Sequence, residues 1–389
     1  MNENKLSDNY EANLINFAGR AIQARSYSNE EGNFANLIME EMKALDFDEV
    51  FLDTAGNVVG RVGNGQKIIH FDSHMDTVEV NDEALWDVPP FEGRVADGNL
   101  WGRGSVDMKS ALCASVYAAA LAKKNNYLEG KTIYVTATVC EEYCDGENLK
   151  MLYKEFNLKP DCCIICEPSG NEIALGHKGK AQIRITTNGV SAHGSAPEKG
   201  INAVYEMAEI ISRVDALNKS LSEKEGSHGT VVLSDISCVS ASLNAVPSSC
   251  SIYLDRRLAL GENTEDVKQE MDELIAGKDA FWEVGTLHHT SWNGAKLVYE
   301  PMHNPWIIEK SHPLASAMNK AYESVYEKAP EEYVFWDFGT NAITPVAMGI
   351  PVIGFGPGDY KLAHMRNEHC PVQQISDACK VYLKLIEIY

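Results

Sequence analysis

The sequence of 389 residues lacks any long apolar run. No segment approaches the roughly 18 consecutive apolar residues that a bilayer-spanning helix needs, although 44% of the residues are hydrophobic. It also lacks low-complexity tracts and internal repeats, which argues against disorder and against a solenoid. With 23% charged residues, the composition is typical of a folded globular protein.

Basic residues are scarce relative to acidic ones. Lys and Arg number 34 against 56 Asp and Glu, which gives a formal net charge of -22. Such a charge repels phosphates and anionic lipids, so we expect neither nucleic acid nor membrane as a partner. The first residues, MNENKLSDNYEANL, are polar and acidic and do not resemble a signal peptide. The expected location is the cytoplasm, where the ten cysteines should stay reduced.

The order of helical and strand-like segments predicts two domains of an α/β fold. The chain is longer than one hydrophobic core usually fills. Helical patterns alternate with buried-type strands such as KIIHFDSH, TIYVTATVC and DCCIIC, which indicates a largely parallel sheet covered on both faces. From about 180 to 292 the order strand, helix, strand, strand, helix fits a small α+β unit. We therefore predict a discontinuous three-layer αβα domain, 1–179 and 293–389, interrupted by an inserted α+β domain, 180–292.

Polar side chains follow three of the predicted strands, in HFDSHMD, CEE and CEP. Ligands bind outside the carboxyl ends of strands in such sheets, so these segments can converge on one pocket. Zinc binds His nitrogen and carboxylate oxygen, and a pair of zinc ions needs a bridging carboxylate. Taken singly, His74 is more readily explained as a core histidine, and the Glu141–Glu142 pair as two solvated acids. Their ordered coincidence favours a metal site.

Several motifs carry a resemblance to a known family. HMDTV, GRGSVDMK, EE, CEP and AHMRNE occur in this order, together with GVSAHGSAPEKGINAV, NAVP at Asn244 and IGFGPG. Over nearly its whole length the chain resembles the zinc-dependent family of acetylornithine deacetylase, succinyl-diaminopimelate desuccinylase, aminoacylase and carboxypeptidase G. Within that family, EEYCDG, DRRL and SWNGAKLVYEP resemble the YgeY-type hydrolases linked to selenium metabolism. The resemblance implies a hydrolase of carbon–nitrogen bonds whose inserted domain serves as a lid and dimerisation domain.

The same resemblance implies two Zn²⁺ ions per subunit, although Co²⁺ or Mn²⁺ can use similar nitrogen and oxygen ligands. One ion would be bound by His74 and Glu167, and the other by Glu142 and His364. Asp107 would bridge the two ions. The peptide bond that follows Asp107 is expected to be cis.

Three further residues receive catalytic roles from the resemblance. Glu141 would be the general base that takes a proton from the attacking water and passes it to the leaving nitrogen. Asp76 would orient His74, as carboxylates beside metal-bound histidines do. His193 would reach across a homodimer from the other subunit and stabilise the oxyanion.

The substrate-binding prediction centres on Arg257. It shares a strand face with Asp255, and its planar guanidinium suits a carboxylate; the alternative is an ion pair with Asp255 within the lid. With Asn244 it resembles the family's carboxylate-recognising pair, and Gly356 would let the backbone approach the substrate. We predict cleavage of the amide or ureido bond of a small N-acyl or N-carbamoyl amino acid. The alternatives are a dipeptidase or carboxypeptidase of the same family, or a non-catalytic relative that binds an amino-acid derivative.

Five cysteines cluster in sequence near the predicted ligands: Cys140, Cys144, Cys162, Cys163 and Cys166. Their spacing is close to that of a thiolate zinc site, so a structural-zinc or redox protein is a further alternative. Strand-borne free cysteines are ordinary core residues, however, and we predict that these lie in the core.

Overall fold

The computed structural model describes residues 6–224 and 226–389. Within these ranges the α-helices are α1 (Asp8–Gln23), α2 (Gly32–Ala44), α3 (Lys109–Lys124), α4 (Glu147–Phe156), α5 (Ala203–Ser222), α6 (Thr264–Ile275), α7 (Pro313–Tyr326), α8 (Ile343–Ala347) and α9 (Val372–Ile388). None of these helices is both long and apolar enough to cross a membrane.

The strands of the same part of the chain are β1 (Glu49–Leu52), β2 (Val58–Gly63), β3 (Lys67–His74), β4 (Arg94–Ala96), β5 (Asn99–Trp101), β6 (Lys131–Thr138), β7 (Cys162–Ile165), β8 (Ile173–His177), β9 (Gly179–Asn188), β10 (Thr230–Val239), β11 (Ser249–Leu258), β12 (Ala280–Val284), β13 (Leu287–Thr290), β14 (Lys296–Tyr299), β15 (Met302–His303), β16 (Trp306–Ile307), β17 (Tyr333–Trp336), β18 (Val352–Gly354) and β19 (His369–Pro371).

The larger unit is built on a nine-stranded sheet. Its strand order is β1-β2-β6-β3-β7-β18-β8-β16, and β17 pairs with β8. The central strands β6, β3, β7 and β18 run parallel to their neighbours within this group, and helices α3 and α4 lie in the connections from β3 to β6 and from β6 to β7. Parallel neighbours require such long crossovers. The predicted largely parallel sheet is confirmed.

Helices cover both faces of this sheet. On β3, the His70 ring lies 2.6 Å from the Tyr153 hydroxyl of α4, measured from Nδ1. The next residue, Phe71, packs against Tyr382 of α9 with ring centroids 5.3 Å apart. Because consecutive strand residues point to opposite faces, α4 and α9 lie on opposite sides of the sheet. This arrangement gives the three layers that the alternating sequence pattern predicts.

The smaller unit is an antiparallel sheet with two helices on one face. Its strand order is β10-β11-β9-β12, and β15 also pairs with β9. Along β9 and β11, buried and partly exposed residues alternate. Ile183, Ile185, Ile252 and Leu254 form one core with buried residues of α5 and α6, and the other face of the sheet carries polar side chains. An α/β fold with a second, smaller α+β unit is therefore confirmed.

The chain crosses between the two units at adjacent places. Lys178 alone joins β8 of the large sheet to β9 of the small one, and the return runs through residues 304–305 from β15 to β16. Gly179 packs tightly on this return, because a Cβ there would lie 2.6 Å from the backbone nitrogen of Pro305. The β13–β14 hairpin docks on the larger unit, where the Trp292 indole donates to the Gly56 carbonyl at 3.0 Å. The predicted boundary at 292/293 lies in the turn of this hairpin, and the division 1–179, 180–292 and 293–389 stays a prediction.

Candidate metal centre

The carboxyl ends of three parallel strands bring three predicted ligands to one edge of the large sheet. β3 ends at His74 itself, while Glu142 and Glu167 follow shortly after the ends of β6 and β7. These strands are direct neighbours, so the residues that follow them meet above the same edge. Asp107, just before α3, and His364, in the loop after β18, approach this edge from the remaining sides.

Asp107 lies between two histidines and presents a different oxygen to each. Its Oδ1 is 2.8 Å from Nε2 of His74, and its Oδ2 is 3.2 Å from Nε2 of His364. A carboxylate shared between two ions directs one oxygen to each ion, and here each oxygen faces a different histidine. The peptide bond between Asp107 and Met108 is cis, as predicted.

The remaining predicted ligands complete two overlapping groups. Nε2 of His74 lies 3.6 Å from Oε1 of Glu167, and Nε2 of His364 lies 3.1 Å from Oε2 of Glu142. Ligand atoms of His74, Asp107 and Glu142 lie within 4.8 Å of one another, and so do those of His74, Glu141 and Glu167. The structure thus brings together every metal ligand that the sequence predicts.

The electrostatics of the cluster reveal an excess of buried negative charge. Burial raises the pKa of Glu167 well above its usual range, and neighbouring carboxylates add to the shift although His74 opposes it. Burial alone would lower the pKa of His74, yet Glu167 and Asp107 raise it well above normal. Hydrogen bonds to Asp107 and Glu142 raise the pKa of His364 to about 10. Divalent cations would supply the missing positive charge, and these nitrogen and oxygen donors are those that zinc binds, so the residues fit a pair of such ions.

Asp76 connects the histidine side of the cluster to the Glu141–Glu142 pair. Its backbone carbonyl lies 2.9 Å from Nδ1 of His74, closer than its own carboxylate, which is 3.6 Å away. The carboxylate instead accepts the backbone N–H groups of Glu141 at 3.0 Å and of Glu142 at 3.2 Å. The Ser28 hydroxyl donates to it as well, at 2.7 Å. Asp76 therefore contacts His74 mainly through its backbone carbonyl, while its carboxylate accepts the backbone N–H groups of the two glutamates.

A buried glutamate fixes the loop that carries Asp107. Oε1 of Glu368 accepts backbone N–H groups from Gly104 at 3.0 Å, Val106 at 2.8 Å and Asp107 at 3.1 Å. Its Oε2 accepts from the Arg103 guanidinium at 2.6 Å. Glu368 is the last residue of the AHMRNE segment, which also contains His364. This short segment therefore holds the backbone of Asp107 and supplies the predicted ligand His364.

A cavity of about 270 Å³ opens beside the cluster and is lined by Asp107, Glu141, Glu142, Glu167 and His364, among other residues. Lys180 and Arg257 of the smaller unit form a cationic wall of the same cavity. Pro168, Phe338 and Tyr360 form an apolar wall, with the rings of Phe338 and Tyr360 6.1 Å apart. Ligand pockets commonly measure about 300–1,000 Å³, so this cavity suits a small molecule with an apolar part and an anionic part.

Arg257 and its neighbour Arg256 point to opposite faces of β11. Arg257 reaches the cavity and is held by Asp255, with Nε–Oδ1 2.7 Å and Nη2–Oδ2 3.0 Å. Arg256 is buried on the helix side, where it pairs with Glu262 and Glu270. Arg257 thus both lines the cavity and forms the ion pair with Asp255. The two are compatible because the ion pair uses only part of the guanidinium.

Three predicted site residues lie away from this cavity. His193 and Asn244 are exposed neighbours in the smaller unit: His193 forms a β-bridge with Ala245, and Gly194 donates to the Asn244 carbonyl at 2.6 Å. Neither lines the cavity of its own chain. Gly356 packs where a Cβ would lie 2.5 Å from the Glu167 carbonyl oxygen, so its close approach is to the backbone of a predicted ligand. The binding roles of Asn244 and Gly356 stay predictions.

Sequence reasoning missed several residues of the site: Asp145, Lys180, Phe338, Tyr360 and Glu368. Glu368 lies inside the motif AHMRNE and Asp145 inside EEYCDG. Both segments were noted in the sequence, but neither residue was given a role. Lys180 precedes the strand pattern AQIRITTNG, where alternation alone would place it on the same face as Gln182. Phe338 and Tyr360 belong to no motif.

The cysteines do not form a metal site in the described ranges. The groups of candidate metal ligands found there contain His, Asp and Glu only. All ten cysteines are free, and Cys140, Cys144, Cys162, Cys163 and Cys166 are buried. Burial raises the pKa of Cys166 to about 12, so this thiol stays protonated and unreactive. The predicted core positions of these cysteines are confirmed.

Comparison with known proteins adds three findings. Residues 70–388 match the model of Peptidase family M20/M25/M40. The chain is 35% identical over 363 residues to the Escherichia coli (strain K12) protein named Uncharacterized protein YgeY, a match that covers 92% of this chain and 90% of the relative. It is 27% identical over 373 residues to a succinyl-diaminopimelate desuccinylase of Corynebacterium glutamicum, with 93% of each chain covered.

Solved structures share the fold. Aminopeptidase PepT from Bacillus cereus superposes with a TM-score of 0.73 at 21% sequence identity, and the match covers 97% of this chain and 98% of that one. At this level of identity the likeness concerns the architecture of two units. It agrees with the large, largely parallel sheet and the smaller α+β unit described above.

Proposed function

The chain belongs to peptidase family M20/M25/M40 and is a hydrolase of carbon–nitrogen bonds, and from this premise we propose that it cleaves the amide or ureido bond of a small N-acyl or N-carbamoyl amino acid. The observation that carries the proposal is one cavity lined by Asp107, His364, Glu141 and Arg257, with His74 in contact with Asp107 beside it. A metal-binding edge, a free carboxylate and a cation for an anionic substrate group are the parts that such a hydrolysis needs.

We propose that His74 and Glu167 hold one divalent ion, that Glu142 and His364 hold the other, and that Asp107 bridges them. The opposed oxygens of Asp107 support this pairing. When bound, the ions lower the pKa of a water molecule and polarise the carbonyl oxygen of the scissile bond. Zn²⁺ suits the donor set best, and Co²⁺ or Mn²⁺ can use the same ligands.

Glu141 is the proposed general base. Its carboxylate lies within 4.8 Å of ligand atoms of His74 and Glu167, while its backbone N–H is held by Asp76. From this place it accepts a proton from the attacking water and delivers that proton to the leaving nitrogen. Glu142, one residue later, faces His364 instead. The backbone clamp of Asp76 keeps the two neighbouring carboxylates in these separate roles.

The substrate lies across the cavity with its scissile carbonyl at the metal edge. Arg257 offers guanidinium donors to the α-carboxylate of the amino acid. Phe338 and Tyr360 offer an apolar wall to the rest of the molecule. A cavity of about 270 Å³ favours one amino-acid derivative over a longer peptide. Asp145, the acid next to the cationic wall, is already paired with Lys180. It is therefore occupied and does not offer a binding place for a free amino group of a substrate.

The active form is proposed to be a cytoplasmic homodimer that pairs through the smaller unit. Among the described residues, strand β10 is hydrogen-bonded on one side only, by β11. It carries Val232, Ile236 and Val239, which are 54%, 52% and 63% exposed. An exposed apolar edge strand is a template for pairing with a second copy. His193 and Asn244, exposed on the same unit, would then reach the cavity of the partner subunit and stabilise the developing oxyanion.

The test is a screen of N-acetyl and N-carbamoyl amino acids, with dipeptides alongside, on metal-loaded protein. We expect hydrolysis of N-acyl or N-carbamoyl compounds that carry a free carboxylate. Glu141→Gln should retain its metal and lose at least about 100-fold in turnover. Glu323→Gln, an exposed glutamate on α7, is the matched control and should behave as wild type. Preferential cleavage of dipeptides would favour the peptidase alternative, and full turnover by Glu141→Gln would remove Glu141 as the base.

A further inference from the structure

The sheet of the smaller unit, formed by β9, β10, β11, β12 and β15, places three nitrogen-bearing side chains in one row beside the cavity. In the strand register His303 of β15 is opposite Lys180 of β9, and Lys180 is opposite Arg257 of β11. Directly opposed residues share a face of the sheet, with Cβ atoms about 4.5–5.5 Å apart. Lys180 and Arg257 both line the cavity beside the metal ligands. Like charges in opposed positions destabilise a sheet, so the presence of two cations at these positions indicates a function beyond stability.

Each of the two cations forms an ion pair with its own carboxylate, and this pair uses only some of the cation's hydrogen-bond donors. Lys180 donates to Oδ2 of Asp145 at 3.0 Å, which occupies one of three ammonium donors. Arg257 donates to Asp255 through Nε and Nη2, which occupies two of five guanidinium donors. The remaining donors belong to side chains that line the cavity, and a carboxylate between the two would meet both.

Asp145 is fixed from several sides, and it fixes Lys180 in turn. The Tyr299 hydroxyl donates to its Oδ2 at 3.0 Å, and Nε2 of His303 lies 3.7 Å from the same oxygen. The Lys180 ammonium also lies 5.6 Å from the centre of the Tyr299 ring. Burial would raise the pKa of Asp145, but Lys180 and His303 hold it well below its usual range. Asp145 therefore stays ionised and anchors the Lys180 ammonium from the larger unit.

We propose that Lys180 is a specificity-determining residue, whose ammonium holds one carboxylate of the substrate together with the Arg257 guanidinium, and that Asp145 is its positioning residue. The inference rests on the proposed function insofar as the substrate carries a free carboxylate. Stability alone does not require the Lys180–Asp145 pair, since buried ion pairs can often be replaced by apolar residues of similar size at little cost. The two side chains extend from directly opposed positions of neighbouring strands into one cavity, so both can donate to the same carboxylate.

The test compares an N-acetyl amino acid with its carboxamide. The acid is the N-acetyl amino acid that wild-type enzyme cleaves fastest, and the carboxamide has the same shape but carries an uncharged NH2 group in place of one carboxylate oxygen. Lys180→Met should raise KM for the acid about 10- to 100-fold, with kcat changed less than about threefold and KM for the carboxamide nearly unchanged. Lys180→Arg, which keeps the charge, should retain the preference for the acid.

The matched control is Lys278→Met. Its side chain is 11% exposed against 12% for Lys180, and it also forms ion pairs, with Glu206 and Glu209, but it does not line the cavity. We expect wild-type KM values for both compounds. Asp145→Asn should weaken binding of the acid less than Lys180→Met does, and the double variant should match Lys180→Met alone, because Asp145 acts through Lys180.

Several results would overturn the inference. Lys180→Met could raise KM equally for acid and carboxamide, lower kcat alone, or behave as Lys278→Met does. A penalty confined to substrates with a second carboxylate would overturn the shared-carboxylate geometry. Failure of the proposed function is distinct, since it appears as no hydrolysis by the wild type. In that case calorimetric titration of the N-acetyl amino acid panel into metal-loaded Glu141→Gln, with and without Lys180→Met, still measures whether Lys180 contributes to binding of the carboxylate.

Discussion

The backbone N–H of Asp107 donates to the buried carboxylate of Glu368 at 3.1 Å. The same carboxylate accepts from Arg103 and from two more backbone N–H groups of the loop. The position of the proposed bridging ligand thus depends on a side chain 261 residues away in sequence.

Glu368→Gln should destabilise the fold and weaken metal binding together. The new amide turns donor atoms toward either Arg103 or the loop N–H groups, which leaves a buried charge or donors unpaired. Breaking a buried ion pair in this way costs about 3 kcal/mol of unfolding free energy. Urea unfolding and metal analysis after dialysis measure the two effects, with Glu323→Gln as control. Wild-type metal content in a folded Glu368→Gln protein would show that the Asp107 loop holds its position without this carboxylate.

Subunit complementation should occur between two inactive variants. Glu141→Gln lacks the base and His193→Ala lacks the proposed oxyanion donor, so each homodimer is inactive. If His193 acts on the partner's cavity, a heterodimer contains one complete site, and a random mixture should recover about a quarter of wild-type activity. Activity of the refolded mixture measures this.

The control for complementation adds Ile236→Asp to both chains. A charge on the exposed β10 edge should prevent strand pairing, so the mixture should stay inactive and elute as monomers in size-exclusion chromatography. Full activity of His193→Ala by itself would contradict the role of His193, and recovery in the absence of dimers would contradict the trans arrangement.

The Arg256–Glu262 pair should make stability depend on pH in the acid range. Burial would raise the pKa of Glu262, but the hydrogen bonds from Arg256 lower it to about 2, against about 4.3 in an unfolded chain. Because the folded pKa is depressed, the ionised carboxylate stabilises the fold above about pH 4.3, and this contribution is lost as the pH falls toward about 2. Glu262→Gln should therefore lower the unfolding free energy by about 1–2 kcal/mol near pH 7.

Urea unfolding of wild type and Glu262→Gln at a series of pH values measures that difference. The gap between the two proteins should be constant from about pH 7 to about pH 5 and should narrow below about pH 4.3. Glu265→Gln, on the exposed side of α6, is the control and should show no such gap. A gap that widens on acidification would have the wrong sign for this ion pair.

Removing the buried thiols should leave the metal in place. Cys163→Ala deletes a buried sulfur within β7, and Cys166→Ala deletes one directly after it. Each change costs about 1 kcal/mol or more of unfolding free energy through lost packing. Metal content should equal that of the wild type, because the donors are His and carboxylate. A loss of metal that parallels the number of cysteines removed would restore the thiolate alternative.

The cluster of proposed metal ligands could be predicted because the sequence signals of its members are local. A strand that ends in His, or is followed closely by Glu, places the side chain at the carboxyl edge whatever the rest of the fold does, as for His74, Glu142 and Glu167. The ordered motifs added Asp107 and His364. The alternation along β11 also placed Arg257 on the same face as Asp255, since this placement needs only the two-residue period of a strand, and the two side chains are paired in the structure.

The cationic wall could not be predicted in the same way. Lys180 becomes the neighbour of Arg257 only through the register between β9 and β11, which depends on how the hydrophobic patterns of both strands match and cannot be read from one strand alone. Asp145 reaches Lys180 only because the two units meet at that point. Glu368 lay within a recognised motif, but its role depends on how residues 103–107 fold around its carboxylate.

The paired crossings at Lys178 and at residues 304–305 make the smaller unit an exchangeable insert. The chain leaves the large sheet and returns to it at neighbouring points, so a different insert could be grafted there without interrupting any strand that carries a metal ligand. A graft would inherit the hydrolytic centre and bring its own selectivity. Asp145 belongs to the larger unit and would remain after such an exchange. A new insert must therefore carry a cation at position 180, because the buried charge of Asp145 would otherwise lose its ion pair.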